Sequence, residues 1–452
     1  MAPKVHPALA AIRKSGAAKV KVACSDIDGV LRGKYLHKDK FFSAAEGGFG
    51  FCNVVFGWDA GDVCYDNSAY TGWQSGYPDA MARVDLATMR RVPWDGDIPF
   101  FLADFVDSEG GPLGVCPRQL LKGVLARAEA MGFTAKCGLE FEWFNFQETP
   151  ESLAAKQYVS PKPLTPGMFG YSLVRMANSR PFFNAMLDEL GAFGVPIEGL
   201  HTETGPGVFE AAIQAADALE AADRGVLFKT SVKEIGQRFQ VMPTFMAKWN
   251  SALPGCSGHM HQSLWTKNGN AFDDDKDPRR MSKVFKSYLA GQLRALADLL
   301  PFFAPTVNSY KRLVDGYWAP TKVTWGMDNR TVALRVIPGG PKATRVEVRV
   351  SGSDINPYLA LAASIGAGLW GIAQDLKLDD APVEGSAYMV EKAVRLPRTL
   401  QEATRRLSES KLAREILGEE FVDHYVRTRE WEVRQYEKAV SDWELKRYFE
   451  SI

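Results

Sequence analysis

Residues 344–350 read TRVEVRV, and charged and apolar side chains alternate along this stretch. In an extended strand successive side chains point to opposite faces, so Arg345, Glu347 and Arg349 share one face and three valines share the other. Two interpretations are open: an exposed edge strand whose charged side faces water, or the polar wall of an active site with the hydrophobic core behind it. The other charged motifs of the chain decide between them.

The composition is typical of a globular protein from a reducing compartment. The 452 residues are 46% hydrophobic and 24% charged, enough for two or three domains. Basic and acidic residues number 54 each, so the net charge does not indicate nucleic acid or an anionic membrane as a partner. The six cysteines include no CxxC pair, which excludes a zinc-finger or disulfide framework. Without a secretory signal or an apolar run long enough to span a membrane, we expect a cytoplasmic protein.

The chain changes character near Gly110. Before this point it is rich in short β-like runs, including two strands joined by a turn at Asp28-Gly29. After it, strands alternate with longer helices, which the apolar spacing predicts over 182–193, 212–239, 280–300 and 357–375. We therefore predict an α+β protein with a small β-rich domain over 1–112 and a large α+β domain over 113–452.

Three motifs combine carboxylates with imidazoles. GLEFEWF directs Glu140 and Glu142 to one face of a strand, where like charges repel unless a cation lies between them. HTETGPGVFE and GCSGHMHQSL add Glu203, Glu210, His259 and His261, with Glu198 and His201 nearby. Glutamates with imidazoles and no cysteine suit Mg²⁺ or Mn²⁺ better than structural zinc, and such ions mostly serve phosphates.

The second half of the chain supplies the groups that bind anions. Strand-like segments rich in Pro, Gly and Val carry Arg312, Arg330, Arg335, Lys342, Arg345 and Arg349. A guanidinium group donates two hydrogen bonds at once to carboxylate or phosphate. A dense run of arginines is usually a solvated face, but this interleaving favours a lined cavity. The chain contains no P-loop or GxGxxG motif, which argues against those nucleotide sites.

Together these segments resemble the glutamine synthetase family of ATP-dependent glutamate–ammonia and glutamate–amine ligases. The resemblance covers most of the chain, in the order GLEFEWF, HTETGPGVFE, SGHMHQSL, NSYKRLVDGYWAP, DNRTVALRVIP, KATRVEVRV, NPYLALAA. It implies an N-terminal β-grasp domain and a large catalytic α/β domain whose antiparallel sheet forms half of a funnel-shaped active site. It also implies a homo-oligomer, expected to be a dodecamer, with active sites between subunits.

The resemblance implies a role for each candidate residue. Two or three Mg²⁺ or Mn²⁺ ions would be held by Glu142, Glu203, Glu210 and by Glu140, His259, Glu347. The substrate carboxylates would be held by Arg312 and Arg349, with Gly255 close by. The phosphoryl group would be stabilised by Arg330, Arg335 and Arg345. The nucleotide would be contacted by Glu198, His261, Ser263, Lys342 and Arg345. Asp59, in VFGWDAGD, is the candidate for an aspartate that reaches the amine site of a neighbouring subunit.

Two departures from the family pattern concern the acceptor. Ammonia-using members carry a glutamate in the flap motif NSYKRLVPGYEAP, where this chain has Trp318, and Asp315 replaces the proline. An indole ring takes up no proton, although its face can hold an organic cation. Pro254 replaces the asparagine before Gly255, and DIDGVLRGKYL is similar to the corresponding segment of gamma-glutamylpolyamine synthetases. These features favour glutamate, ATP and a small amine or polyamine as substrates, with Trp318 lining the acceptor site.

Three alternatives remain. Trp318 could merely pack the flap of a glutamine synthetase that uses ammonia, with Asp315 partly replacing the missing acid. A catalytically silent oligomer is disfavoured because every metal-ligand position is filled. An amide hydrolase that needs no ATP is disfavoured by the retained Arg330, Arg335 and Lys342.

Overall fold

A computed structural model of the protein describes residues 6–452. Residues 6–106 form two α-helices and six strands: α1 Pro7–Lys14, β1 Lys19–Ser25, β2 Leu31–His37, α2 Lys38–Gly47, β3 Phe49–Cys52, β4 Asp79–Val84, β5 Arg90–Val92 and β6 Ile98–Val106. β1 and β2 form the predicted hairpin around Gly29, whose φ of 80° lies in the left-handed region that favours glycine.

The N-terminal strands form one mixed sheet. Its order is β2-β1-β6-β4-β3, with β5 on β6, and β1 and β6 run parallel in the middle. All nine residues of β6 are buried because helices cover one face of the sheet and the rest of the chain covers the other. This is the arrangement expected of the predicted β-grasp domain.

The remaining residues form twelve helices and ten strands: α3 Pro117–Ala130, β7 Thr134–Phe146, α4 Pro150–Ala155, α5 Leu173–Asn178, α6 Arg180–Ala192, β8 Ile197–Thr202, β9 Val208–Ile213, β10 Ala216–Asp217, α7 Ala218–Arg238, β11 Met242–Thr244, β12 Gly258–Thr266, β13 Gly269–Asn270, α8 Lys283–Ala295, α9 Leu300–Phe303, β14 Trp325–Met327, β15 Leu334–Ile337, β16 Arg345–Val348, α10 Pro357–Ala373, α11 Leu400–Glu409, α12 Lys411–Leu417, α13 Glu419–Lys438 and α14 Asp442–Tyr448. The predicted α+β class is confirmed.

TRVEVRV lies inside the large sheet and not at its edge. The strand order is β14-β15-β16-β12-β7-β9-β8, with all pairs along it antiparallel except β14 and β15. β16 therefore has a neighbour on each side, and the edge-strand interpretation is wrong. Val346, Val348 and Val350 are buried in the main core, so the charged face looks away from that core.

The most apolar stretch is a core helix, as predicted. α10 begins after Asn356, whose side chain accepts a hydrogen bond from the backbone N–H of Tyr358, and Pro357 occupies the first turn. α10 packs against α8, α3 and α7, and a helix that is apolar all round needs such neighbours. Among residues 6–452 no helix combines the length and apolar character that a membrane crossing requires.

One predicted helix begins later than expected. The spacing predicts helix over 212–239, but β9 extends to Ile213, β10 follows, and α7 starts only at Ala218. Pairing with β7 explains the difference, because Ala212 lies opposite Glu140 and Ala216 opposite Cys137. Tertiary pairing thus overrides the helical preference of the alanines.

Arg118 in α3 joins the N-terminal sheet to the large sheet region. Its guanidinium group is 4% exposed and donates hydrogen bonds to Asp104 in β6 at 2.9 Å and to Asp223 in α7 at 2.8 Å. Asp85 accepts a further hydrogen bond at 2.9 Å. The domain boundary predicted near residue 112 therefore lies next to a seam of buried ion pairs, which Arg118 makes with Asp85, Asp104 and Asp223.

We predict that Arg118→Met destabilises the protein strongly. Removing the cation leaves Asp223 buried without a cationic partner and leaves Asp104 with Lys122 alone, which should lower the free energy of unfolding by about 3–5 kcal/mol. Arg91→Met is the control, because Arg91 pairs with Asp97 at the surface and such pairs contribute about 1 kcal/mol or less. Urea unfolding at one protein concentration measures both losses, and equal losses would contradict the proposed role of the seam.

Candidate active site

A cavity of about 1080 Å³ opens along the charged face of the large sheet. Among the candidate site residues predicted from the sequence, all but Asp59 line it, while Asp315 and His201 are also not part of its wall. The lining residues come from both halves of the sheet and from the loops beyond the strand ends. Motifs that are separated by about two hundred positions in the chain therefore lie together around this cavity.

The pairing of β12 with its two neighbours brings the imidazoles to the carboxylates. His259 lies opposite Glu140 of β7, and His261 lies opposite Glu347 of β16. On the far side of β16, Arg335 of β15 also lies opposite Glu347. Residues two apart on a strand share a face, so these side chains all reach the same cavity.

Glu347 is the most enclosed carboxylate of this group, at 1% exposure. It accepts hydrogen bonds from Arg335 Nη1 at 2.9 Å and Arg349 Nη1 at 2.5 Å, and its Oε1 lies 3.3 Å from His259 Nδ1. Burial alone would raise its pKa, but His259 and the two arginines hold it at about 2. Glu347 is therefore a permanent anion between cations.

A second chain of hydrogen bonds fixes the orientation of His261. Arg345 Nε donates to its Nδ1 at 3.1 Å, so the proton lies on Nε2, which is 3.2 Å from Glu140 Oε2. Burial would raise the pKa of Glu140, but His259 and His261 hold it well below its usual range. Arg345, His261 and Glu140 are thus coupled side by side along the cavity wall.

A separate acidic cluster lies on β8 and β9. Glu210 stands opposite Glu142 of β7 and opposite His201 of β8. His201 Nε2 is 3.3 Å from Glu210, and its Nδ1 is 3.8 Å from Glu203. Tyr171 stacks on the imidazole with ring centroids 4.3 Å apart. The sequence motif pointed to the glutamates, but the place of His201 follows only from the strand register.

The residues of this cluster fit a divalent cation. Ligand atoms of His201, Glu203 and Glu210 lie within 4.8 Å of one another. Burial, followed by repulsion from Glu140, raises the pKa of Glu210 to about 11, and burial raises that of Glu142 to about 7. Carboxylates crowded in this way gain most from a bound cation.

The group around Glu140 and Glu347 also fits a cation. His259 is buried, its Nδ1 makes no hydrogen bond among residues 6–452, and burial lowers its pKa to about 4. A neutral imidazole with a free nitrogen beside two ionised carboxylates is a suitable ligand set for a metal. The fold therefore brings together the members of each predicted set of metal ligands. His201 joins the set that contains Glu142, Glu203 and Glu210.

Arg312 lies at the end of the cavity near Gly255. It is buried and donates to the backbone carbonyls of Val350 at 3.0 Å and Arg349 at 3.2 Å. A Cβ atom on Gly255 would fall 2.4 Å from the Ala247 carbonyl oxygen and 2.9 Å from Arg312 Cγ. Only glycine therefore fits beside this guanidinium group.

The other residues predicted to contact the nucleotide also line the cavity. Glu198 and Lys342 are exposed, and Ser263 Oγ accepts a hydrogen bond from Trp265 Nε1 at 2.9 Å. Arg330 is also exposed, while its backbone carbonyl accepts a hydrogen bond from Arg349 Nε at 3.1 Å. Exposed side chains of this kind are available to a phosphate or ribose.

The flap presents Trp318 to the cavity and turns Asp315 away from it. The Trp318 side chain is 65% exposed, and its φ of 59° continues the turn begun at Gly316. Asp315 accepts a hydrogen bond from Thr321 Oγ1 at 2.5 Å, lies 3.7 Å from Arg395, and is absent from the cavity wall. The suggestion that Asp315 partly replaces the missing flap acid is therefore not supported by its position.

Asp59 is held within its own chain, apart from the cavity. Its carboxylate accepts hydrogen bonds from the N–H groups of Gly61 at 2.8 Å and Val63 at 3.0 Å, and from Trp431 Nε1 at 2.9 Å. A role in the amine site of a neighbouring subunit stays a prediction and would require these bonds to be exchanged.

Comparison with known proteins gives one consistent family. The family model described as "Glutamine synthetase, catalytic domain" matches residues 114–448. "Type-1 glutamine synthetase 2" of Dictyostelium discoideum is 56% identical over 96% of this chain and 84% of its own length. "Glutamate--isopropylamine ligase" of a Pseudomonas species is 37% identical over 98% and 97%, and "Gamma-glutamylethanolamide synthetase GlnA4" of Streptomyces coelicolor is 38% identical over 96% and 93%. A solved structure of a GmaS–ADP complex covers 98% of this chain and 100% of its own, with 28% identity and a TM-score of 0.85.

We predict that Glu210→Gln and His201→Ala each weaken Mn²⁺ binding by at least about tenfold, since even groups that only orient metal ligands contribute this much. Isothermal titration of the metal-free protein with Mn²⁺ measures the affinity. Glu189→Gln is the control, because Glu189 pairs with Arg238 at 2.6 Å on the surface. Unchanged Mn²⁺ affinity in both site variants would refute the assignment of this cluster.

Proposed function

The chain belongs to the glutamine synthetase family, and we propose that it joins glutamate to a small organic amine rather than to ammonia. Its relatives are ATP-dependent ligases that form carbon–nitrogen bonds, so the class of enzyme is clear. The observation that carries the choice of acceptor is Trp318, an indole that lines the cavity at the flap position where ammonia-using members carry a glutamate.

The flap chemistry supports an organic amine. Ammonium is small and strongly hydrated, so an acidic side chain is needed to attract it from water, and an uncharged indole does not supply that attraction. The face of an indole instead attracts organic ammonium groups, whose apolar parts gain by leaving water. Two relatives carry names that specify isopropylamine and an ethanolamide, which agrees with this direction.

The proposed reaction has two steps. A γ-carboxylate oxygen of glutamate attacks the terminal phosphorus of ATP, and the bond from that phosphorus to the bridging oxygen breaks, releasing ADP. The ammonium form of the amine first loses a proton to solvent. The free amine nitrogen then attacks the acyl carbon of γ-glutamyl phosphate, the carbon–oxygen bond to phosphate breaks, and a second proton passes from nitrogen to solvent. Phosphate and the γ-glutamyl amide are the products.

The residues of the cavity would act by position and charge. Arg312 and Arg349 hold the glutamate carboxylates, and the backbone and carboxylate contacts of both guanidinium groups fix them in advance. Arg330, Arg335 and Arg345 stabilise negative charge on the transferring phosphoryl group. The site needs no Ser or Cys nucleophile because the substrate carboxylate is itself the nucleophile.

Two or three divalent ions, Mg²⁺ or Mn²⁺, would complete this site. The ligands would be His201, Glu203, Glu210 and Glu142 in one group, and Glu140, His259 and Glu347 in the other. When bound, such ions neutralise and orient the phosphates of ATP. Glu198, His261, Ser263 and Lys342 would contact the nucleotide.

A glutamine synthetase that uses ammonia is the second candidate. One observation favours it, because the relative at 56% identity is named a type-1 glutamine synthetase. Homo-oligomerisation as a dodecamer and a cytoplasmic location remain predictions from the sequence.

The proposal is tested by measuring the phosphate released from ATP in the presence of glutamate and one acceptor at a time. The acceptors are ammonium, methylamine, ethanolamine, putrescine, spermidine and benzylamine, each compared by kcat/KM. We expect at least one organic amine to exceed ammonium. Highest kcat/KM with ammonium would reject the amine acceptor, and turnover without ATP would reject the ligase. If neither ammonium nor any amine supports phosphate release, the silent alternative is favoured.

Replacing the flap indole separates its two possible roles within the same assay. Trp318→Glu should raise kcat/KM for ammonium by roughly tenfold or more, because opposite charges about 4 Å apart attract by about 1–4 kcal/mol near a protein surface. Trp318→Leu is the matched control, which removes the ring without adding charge. No gain of ammonia use in Trp318→Glu would indicate that Trp318 only packs the flap.

A further inference from the structure

A second cavity opens beside the reaction cavity and shares part of its wall. This groove has a volume of about 660 Å³, and Trp318 and Arg330 line both cavities. Its other walls are the end of β14, the turn that follows it, and the loop at 382–385. The two cavities therefore adjoin at the side chains of Trp318 and Arg330.

The groove is lined by apolar side chains and by charged side chains of both signs. Trp318, Met327, Pro382 and Val383 supply the apolar part. The lining also carries two guanidinium groups and two carboxylates, those of Arg279, Arg330, Asp328 and Glu384. Asp328 already accepts a hydrogen bond from Arg335 Nε at 3.0 Å. The groove thus offers no excess negative charge that would select a second ammonium group.

Hydrogen bonds fix the position of the loop that forms one wall of the groove. Asn329 Nδ2 donates to the carbonyl of Val383 at 3.1 Å and to that of Gly385 at 2.8 Å. The N–H of Val383 donates to the carbonyl of Trp325 at 2.8 Å. The loop is therefore tied at both ends to the strand and turn opposite, so a ligand need not order it on binding.

The groove is far larger than an ammonia molecule. At about 30 Å³ for each water molecule in the liquid, it holds roughly twenty water molecules. Ammonia is about as large as one of them. An acceptor with a hydrocarbon body would displace water from Met327, Pro382 and Val383 and cover the indole of Trp318.

We infer that the acceptor is a primary amine with an uncharged alkyl or aryl body, and that this body lies across Trp318 in the groove. The inference rests on the proposed function and specifies its acceptor class. Val383 becomes a specificity-determining residue that contacts the body of the acceptor and not the reacting nitrogen.

A series of n-alkylamines from methylamine to hexylamine tests this inference, with phosphate release measured at saturating ATP and glutamate. For the wild type, kcat/KM should rise along the series by up to about fourfold for each methylene that is buried. Val383→Trp fills the groove and should abolish this rise beyond propylamine while leaving methylamine within about twofold. Val383→Ala enlarges the groove and should move the highest kcat/KM to longer amines. This variant keeps the inference testable if Val383→Trp does not fold.

Glu384→Gln, in the same loop, is the matched control and should leave the series unchanged. If it lowers kcat/KM for putrescine but not for butylamine, the groove selects cations and the inference is wrong. It is also wrong if Val383→Trp and Val383→Ala keep the wild-type dependence of kcat/KM on the length of the amine. The same holds if Val383→Trp lowers kcat/KM for methylamine as much as for hexylamine. A change of oligomer size in Val383→Trp, measured by light scattering, would instead assign the groove to a subunit contact and overturn the inference. Failure of every amine in the wild type refutes the proposed function itself.

Discussion

A buried carboxylate between two guanidinium groups is the interaction on which the site depends. Glu347 lies within the large sheet, where its charge is stable only because Arg335, Arg349 and His259 surround it. The same strand sends Val346 and Val348 into the core beneath α10. Moving β16 by one residue would bury the charges and expose the valines, so the register of the core also fixes the catalytic face.

This constraint extends across the neighbouring strands. Because β12 pairs with both β16 and β7, each imidazole is brought to a carboxylate on either side. β9 then carries Glu210 beside β7 and opposite His201. The result is one polar face with excess negative charge at the β8–β9 side and guanidinium groups at the β15–β16 side. Phosphate and divalent cations together complement such a face, which is why an ATP-dependent ligase fits it.

Much of the polar face could be predicted from the alternation of side chains along each strand. The spacing of Glu140 with Glu142, of His259 with His261, and of Arg345 with Glu347 and Arg349 fixes which side chains share a face. The order of strands is not contained in that spacing, so the place of His201 beside Glu210 and the interior position of β16 follow only from the fold. Local helical preference likewise failed at Ala212, where pairing with β7 decides the conformation. Asp315 has the right charge for the flap, but Thr321 and Arg395 hold it elsewhere.

Transfer of a phosphoryl group to a carboxylate at the charged face can be measured directly by following an oxygen isotope. Glutamate labelled with ¹⁸O in its γ-carboxylate is turned over with ATP and the best amine, and the released phosphate is analysed by mass spectrometry. We expect each phosphate to carry a single labelled oxygen, because the attacking oxygen stays with phosphorus when the acyl carbon–oxygen bond breaks. Unlabelled phosphate during amide formation would show that no acyl phosphate forms.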